Sequence, residues 1–334
     1  MSNWADHDSL VSVAKVRLVT FDGLPFTDDL SASEAVYDAM DRLSADGVFF
    51  ENHYLQTAGF RGVTQGFSLS GTEEDSSVRL LVFGSGSKPA ANFDSLPDLL
   101  AAEFCGPFTV ASDLPDDDFC WLHFESGDDG ESGQAAAGAG FEAVLPLIHA
   151  LLHQQCVVFV TSLSGQAPPP SRFESVLAES LIHAPLWVLG TGQDRGRVQG
   201  VTGSSDVGYS IQRLMRNSRL GDSAASEGSQ PIHDPIDLTA LCAEPGQLLE
   251  REVLIEHDGV NAVRGNDFLL VHCPPSPDAE LREYRTALYA KPEDVWNLND
   301  VAGEYQAVVD GLKERSKSRF AALSAESNSA EPHD

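Results

Sequence analysis

The sequence predicts an α/β fold in which helices cover both faces of a largely parallel central sheet. Short apolar, β-branched runs alternate along the chain with segments of helical periodicity, which is the pattern of βαβ units. The run CVVFVT at 156–161 is apolar at almost every position, as buried parallel strands are. A chain of 334 residues, 42% of them hydrophobic, is long enough to bury such a sheet.

The first strand and helix have clear boundary signals. The run KVRLVTF at 15–21 predicts a strand that ends abruptly at Asp22-Gly23. Ser31 and Glu34 then match a capping box, and Met40 lies on the apolar face of the helix that follows. Because chemistry in parallel sheets sits at the carboxyl ends of the strands, Asp22 is a candidate site residue.

A second amphipathic helix is predicted at 141–153, and it leads directly into the strand at 156–161. Pro146 is placed in its first turns, where proline is best tolerated. The remaining pattern predicts further strands at 48–50, 79–83, 120–124 and 185–189, a helix at 174–181, and loops at 126–140, 166–171 and 217–232.

The charge balance excludes several functions. The chain carries 51 acidic and 21 basic residues, a formal net charge of −30. Such a chain lacks the clustered Lys and Arg that a nucleic-acid backbone requires, and it repels anionic membranes and sulfated polyanions. The acidity serves either solubility or an acidic docking surface, and solubility is the simpler interpretation. We therefore expect no nucleic acid and no membrane among its partners.

The cysteines and the first residues bear on the compartment. The five cysteines are scattered and never spaced as CxxC, which is typical of reduced, buried thiols. Residues 1–10 are polar and contain no apolar run, so we expect no signal peptide. No stretch approaches the length of a membrane-spanning helix. These features favour a cytoplasmic protein.

A resemblance to the sulfatases, members of the alkaline-phosphatase superfamily, is carried by several segments. Residues 37–56 (YDAMDRLSADGVFFENHYLQ) resemble the family segment L-x-x-x-G-V-x-F-x-N-x-Y-x-Q that precedes the catalytic cysteine. Residues 69–71 (LSG) resemble the L-T-G that follows it. Later blocks at 157–165, 173–189 and 205–207 resemble other family elements in the same order. The segment 287–301 (ALYAKPEDVWNLNDV) is similar to the family's closing E-L-Y-D-L-x-x-D-P-x-E-x-x-N-L-A-D.

The resemblance implies a three-layer sulfatase-like sandwich with a small C-terminal subdomain. We expect an α/β core at 12–230, the subdomain at 231–322 and a disordered tail at 323–334. Sulfatases use a formylglycine nucleophile, made from Cys or Ser, and a divalent cation, usually calcium, held by carboxylates at strand ends.

The residues at those positions depart from the family pattern. Asp22 stands where the first carboxylate belongs, but Gly23 follows it in place of a second. Arg61 falls at the nucleophile and Gln65 at the arginine of C-x-P-S-R. The D-H-G turn has become Leu163-Ser164-Gly165, and a leucine cannot bind calcium.

The sequence therefore predicts a degenerate site. We expect no catalytic residue, no metal and no cofactor, with Asp22 the one retained residue of ligand type. The interpretation is a sulfatase-like pseudoenzyme with a binding or regulatory role, whose partner is a protein or a small anionic ligand. The alternative is a hydrolase of sulfate or phosphate esters that uses a remodelled site. Arg61 either forms a buried pair with Asp22 or is solvated, and both readings stay open.

Other motifs favour structural roles. His149 and His153 have a spacing that can bind zinc, but no third ligand is evident. The acidic residues at 125–131 lack the spacing of an EF-hand loop. Gly190-Thr191-Gly192 follows a strand without completing a dinucleotide-binding fingerprint.

Overall fold

The computed structural model describes two sheets and the helices packed on them. It covers residues 15–24, 34–57, 63, 78–83, 101–106, 118–124, 133–164, 177, 179–193, 195–220, 235–247, 249–257, 260–273, 285–294 and 297–329.

The large sheet has eight strands in the order β4-β3-β5-β1-β6-β7-β2-β8. All neighbouring pairs are parallel except those of β7, which runs antiparallel to β6 and β2. The strands are β1 Val16–Asp22, β2 Gly47–Tyr54, β3 Val78–Phe83, β4 Ala101–Gly106, β5 Phe119–Phe124, β6 Val157–Ser164, β7 Leu186–Leu189 and β8 Gly196–Gly203. The carboxyl ends of the parallel strands lie at one side of the sheet, called the carboxyl edge below.

Helices lie on both faces of this sheet, which confirms the predicted fold class. On one face, Leu43 and Ile148 pack with Val19 and Val160 of the central strands. On the other, Ile211 and Leu238 pack with Leu18 and Phe159. The helices are α1 Glu34–Asp46, α2 Gly133–His153, α3 Glu179–Ile182, α4 Ser204–Leu220, α5 Leu238–Ala243 and α6 Gln306–Ser329.

A second, antiparallel sheet has the order β12-β11-β10-β9. Its strands are β9 Val253–His257, β10 Val260–Arg264, β11 Phe268–Cys273 and β12 Arg285–Ala290. Val309 and Leu312 of α6 pack on one face, with Leu254 and Leu270. Tyr54 and Val201 of the large sheet pack in a cluster with Val253 and Ile255. All four strands fall within 231–322, but the boundary of the expected subdomain stays a prediction, and α5 in the same segment packs on the large sheet.

Some element boundaries differ from the prediction. Helix α2 begins at Gly133, so residues 133–140 are helical rather than a loop, and Pro146 lies inside the helix rather than in its first turns. The run of alanines at 135–137 favours helix strongly enough to extend it toward the N-terminus. Helix α3, Glu179–Ile182, overlaps the predicted helix at 174–181 in residues 179–181. Leu177 lies in a turn, and residues 174–176 and 178 lie outside the described residues.

Two helices extend into segments that were predicted to be a loop or a disordered tail. Helix α4 continues to Leu220, through the first residues of the predicted loop at 217–232. Helix α6 continues to Ser329, so residues 323–329 of the expected disordered tail are helical. The capping-box residue Ser31 lies outside the described residues.

Cys120, Cys156 and Cys242 are buried, and none of them forms a disulfide within the described residues. Burial, with the nearby Asp237 carboxylate, raises the pKa of Cys242 to about 12. Within the part of the chain described, no helix combines the length and apolar character needed to cross a membrane.

Candidate functional site

The carboxyl end of β1 carries the first candidate residues. Asp22 closes the strand, and Gly23 follows with φ of +65°, in the left-handed region that favours glycine. This backbone turn lets the Gly23 N–H donate to the backbone oxygen of Ser164 at 3.2 Å and to its Oγ at 3.0 Å. The geometry of the turn at the end of β1 therefore favours glycine at position 23.

The carboxyl end of β6 contains a β-bulge beside Asp22. Phe21 pairs with Ser162, and Asp22 pairs with Ser164, so Leu163 is the extra residue on β6. The Oγ of Ser164 donates to Asp22 Oδ1 at 3.5 Å. The Leu163 side chain is buried in the apolar cluster on the α4 and α5 face of the sheet. The bulge therefore places Ser164, with its hydroxyl group, opposite Asp22, and Leu163 is left without a partner residue on β1.

Ser162 fixes the shape of the same turn. Its Oγ lies 3.0 Å from the backbone oxygen of Phe21 and 2.7 Å from that of Ser164. It also accepts a hydrogen bond from the Leu24 N–H at 3.2 Å. The hydroxyl groups at this end of β6 are therefore used in holding the two strand ends together.

His123 of β5 is a site residue that the sequence reasoning missed. It is fully buried, and its Nε2 lies 3.6 Å from Asp22 Oδ2. Its Nδ1 lies 3.0 Å from Thr20 Oγ1, which accepts a hydrogen bond from Trp121 Nε1 at 2.8 Å. The indole N–H occupies one lone pair of the Thr20 oxygen, so the Thr20 hydroxyl can donate to Nδ1 of the tautomer that carries its hydrogen on Nε2, the nitrogen nearer Asp22.

The signal for His123 was present but ambiguous. A polar residue interrupts the apolar run CWLHF, and the parallel register places His123 directly opposite Thr20 of β1. That register joins residues 103 positions apart, so the run alone could not reveal it. Asp22 is the more accessible partner, with 32% of its side chain exposed against none for His123.

The capacity of this region for a metal is limited within the described residues. There, no three His, Cys, Asp or Glu side chains are grouped so that they could hold an ion. A calcium ion takes six to eight oxygen ligands, far more than Asp22 and its neighbour Ser164 supply. Arg61 and Gln65 lie outside the described residues, so the pairing of Arg61 with Asp22 stays a prediction.

The other motifs have structural settings. His149 lies 3.6 Å from Asp46 at its Nδ1, with both side chains more than 40% exposed. Gly190 and Gly192 have φ of +77° and +84°, and a Cβ on Gly190 would lie 2.2 Å from the backbone oxygen of Cys156. The glycines therefore serve a tight turn. The acidic residues at 125–131 lie outside the described residues.

A buried polar cluster lies where the two sheets meet. Tyr54 donates from its hydroxyl to Glu179 Oε1 at 2.6 Å and accepts from Arg264 Nε at 2.9 Å. Lys291 Nζ donates to Glu179 Oε2 at 2.7 Å and to Asn297 Oδ1 at 2.6 Å. We call these five residues the Glu179 cluster. His183 stacks on the Tyr54 ring, with a centroid separation of 4.8 Å.

The charges of the Glu179 cluster are mutually compensating. Burial alone raises the pKa of Glu179, but the charge of Lys291 and the neighbouring cations outweigh it, and the pKa lies below its ordinary value. Burial and the Glu179 carboxylate raise the pKa of Tyr54 well above its ordinary value, so its hydroxyl stays a donor. Burial also lowers the pKa of His183 to about 4. The cluster is thus a satisfied structural network.

A second buried carboxylate, Asp206, joins the start of α4 to the chain before and after α5. Its Oδ2 accepts from the Gly203 N–H at 2.7 Å and from Arg251 Nη1 at 2.8 Å. Its Oδ1 accepts from the Ile236 N–H at 3.0 Å. Burial raises the pKa of Asp206, and the Arg251 charge with these N–H donors opposes that rise.

Two segments in which the resemblance was found therefore have structural roles here. Asp206 anchors α4, and Asn297 donates to the backbone oxygen of Leu177 at 2.7 Å. Asp300 Oδ1 accepts from the N–H groups of Leu288 and Ala302, both at 3.0 Å. The matching residues in the closing segment hold β12 and the turn after it in place.

Comparisons with known proteins give fold-level similarity. No protein-family model matches the chain, and no curated protein matches its sequence. Among solved structures, the PsFucS1 sulfatase from Pseudoalteromonas sp. superposes with a TM-score of 0.61 at 13% identity, covering 93% of this chain and 90% of that one. The phosphonate monoester hydrolase of Agrobacterium radiobacter gives 0.59 at 12% identity, covering 92% and 96%.

A Vibrio parahaemolyticus protein of the alkaline phosphatase superfamily gives a TM-score of 0.56 at 14% identity, covering 92% of this chain and 88% of that one. At such identities the likeness concerns the fold. The chain therefore has the α/β fold seen in sulfatases and other proteins of the alkaline phosphatase superfamily.

Proposed function

We propose that this protein is a sulfatase-like pseudoenzyme with a binding or regulatory role. The observation that carries the proposal is the bulge at Leu163. It sends a leucine side chain into the apolar core and leaves a serine hydroxyl opposite Asp22. A working metal-dependent site of this fold would place carboxylates there, because hard cations require several anionic oxygen ligands.

The polar groups around Asp22 support the same proposal. The Ser162 and Ser164 hydroxyls are engaged with the backbone of the turn. They are therefore committed to structure rather than directed at a ligand. The sequence adds Arg61 at the nucleophile position, which lacks the oxygen or sulfur that formylglycine chemistry starts from.

The role that remains for such a chain is recognition. Its partner would be a protein or a small anionic ligand, in a compartment that keeps the buried thiols reduced. The expected core at 12–230 and subdomain at 231–322 would supply the binding surfaces. We propose that no metal or cofactor is needed for this role.

The test is turnover and metal binding measured together. Purified protein is assayed with an aryl sulfate and an aryl phosphate, and its thermal unfolding is followed with calcium, magnesium, manganese or zinc and with EDTA. We expect no turnover above that of the Asp22→Ala variant and no metal-dependent shift, since only a bound ligand stabilises by mass action. Turnover that Asp22→Ala abolishes would overturn the proposal.

One observation favours a second candidate, a hydrolase with a remodelled site. The Asp22 carboxylate and the His123 imidazole lie 3.6 Å apart at the carboxyl edge, and such a pair can hold a proton for acid–base chemistry. If this candidate is correct, His123→Gln and Asp22→Asn each lower the rate of ester hydrolysis by about a hundredfold or more. Equal background rates in wild type and both variants would exclude it.

A further inference from the structure

A wide groove opens beside α6, away from the Asp22 turn. It has a volume of about 950 Å³ and lies between α6, the turn from β10 to β11 and the segment before β9. We call it the α6 groove. It has the size of a large ligand pocket. Its apolar wall is formed by the side chains of Ile236, Leu249, Phe268, Val308 and Leu312.

The charged residues of the groove leave an excess of negative charge. Both cations of the lining are neutralised: Arg315 donates twice to Glu252 Oε1, at 2.9 and 2.7 Å, and Arg251 pairs with Asp206 at 2.8 Å. Glu250 and Asp267 are exposed at the rim, and neither forms an ion pair within the described residues. The rim is therefore anionic.

The hydrogen-bonding groups of the groove add a second constraint. Asn266 lines it, and the Oδ1 of this side chain is buried without a hydrogen-bond partner in the described part of the chain. Together with the carboxylates of Glu250 and Asp267, the groove offers acceptors. Its occupant must supply N–H donors and positive charge, and it must cover an apolar wall.

We infer that the α6 groove binds a short basic segment of a partner protein, with apolar side chains on the wall and Lys or Arg at Glu250 and Asp267. The net charge of −30 would draw such a segment toward the chain. The inference rests on the proposed binding role and specifies the partner. The groove shares no lining residue with the Asp22 turn, so peptide binding and ester turnover are independent measurements.

The experiment uses a fluorescein-labelled peptide of Leu and Lys at helical spacing, titrated with the full chain and followed by fluorescence anisotropy. The test variant is Glu250→Lys/Asp267→Lys. The control is Asp41→Lys/Glu142→Lys, which changes the net charge equally at exposed positions on α1 and α2. We expect the test variant to bind about tenfold more weakly and the control to bind within about twofold of wild type.

Two further peptides separate the contributions. A Ser and Lys peptide of equal charge is expected to bind more weakly because it lacks apolar anchors, and a Leu and Glu peptide is expected not to bind. Equal weakening in the test and control variants would mean that only net charge attracts the peptide, and would overturn the inference. So would the absence of saturable binding. Thermal unfolding checks the variants, and Asp267→Asn replaces the test variant if the latter is unfolded.

Discussion

The ammonium group of Lys291 lies 2.7 Å from Oε2 of Glu179, and this buried ion pair links the turn after β12 to α3, next to β7 of the large sheet. The Lys291 side chain is 1% exposed and that of Glu179 is 9% exposed. A pair so well shielded from water must remain intact, because either charge left alone would be buried without compensation.

Lys291→Met is expected to lower the free energy of unfolding by about 3 to 5 kcal/mol, since it leaves the Glu179 carboxylate buried and unpaired. The double variant Glu179→Gln/Lys291→Met should lose less stability than the sum of the losses in Glu179→Gln and in Lys291→Met, because the two residues are in direct contact. Urea unfolding measures all three variants.

The control for this pair is the exposed bridge from Arg197 to Glu51, whose N–O distance is 2.9 Å. Arg197→Met is expected to change stability by no more than about 1 kcal/mol, as exposed ion pairs do. A similar loss of stability in Arg197→Met and Lys291→Met would contradict the conclusion that burial makes the Lys291–Glu179 pair the more important of the two.

Asp206→Asn is expected to destabilise the protein by about 2 to 4 kcal/mol. Both carboxylate oxygens accept hydrogen bonds, and an amide would turn its NH₂ toward a donor while losing the charge that faces Arg251. The matched change Asp237→Asn is expected to cost no more than about 1 kcal/mol, because asparagine keeps the hydrogen bond from the Thr239 N–H and the Arg213 partner of Asp237 is half exposed. Equal effects in thermal unfolding would contradict this reading.

Leu163→Asp restores a carboxylate at the position where the sulfatase motif has one. Because the Leu163 side chain is buried in the core, the change is expected to cost at least about 3 kcal/mol. Added calcium is not expected to restore the stability that Leu163→Asp loses. Leu163→Asn gives the comparison without the charge, and a calcium-dependent rise in the unfolding temperature of the Asp variant alone would show that a metal site can be rebuilt.

Two buried histidines make the protein less stable in acid. Burial lowers the pKa of His53 to about 3 and that of His183 to about 4, whereas the unfolded chain titrates near the ordinary value of 6.5. Between these values the unfolded state binds more protons, so the free energy of unfolding falls as pH drops below about 6.5. The slope is about 1.4 kcal/mol per pH unit for each histidine.

His183→Gln should lower the slope of the free energy of unfolding against pH by about 1.4 kcal/mol per pH unit between pH 6 and about 5. Urea unfolding of wild type and variant at several pH values measures the difference. The neutral control is Gln212→Asn, which adds no titrating group on α4. Parallel slopes in wild type and His183→Gln would show that this histidine is protonated in the folded protein as well.

The apolar runs predicted several strands because burial on both faces leaves a local pattern, as in 48–50 and 120–124. They could not predict that β7 is antiparallel to its neighbours, because the apolar pattern of a four-residue buried strand is the same for either strand direction. β8 was missed because its sequence GRVQGVTG contains three glycines, which strand propensity disfavours.

The candidate site was predicted in part. Asp22 and Gly23 were found from the strand end they occupy, whereas the bulge that separates Leu163 from Ser164 depends on pairing with β1. The role of His123 depends on register with Thr20, and that of Glu179 on the second sheet. Such relationships join residues more than a hundred positions apart and leave no local pattern.

The position of β1 has a consequence for how the chain reaches its structure. Among the described strands β1 is synthesised first, yet its neighbours β5 and β6 begin at Phe119 and Val157. Until those residues are synthesised, the apolar strand β1, which lies inside the sheet in the folded protein, has no neighbouring strand to pair with. Pairing at such long range is slow, and unpaired apolar strands are prone to aggregate. Yield in a cell should therefore depend on chaperones that shield nascent chains.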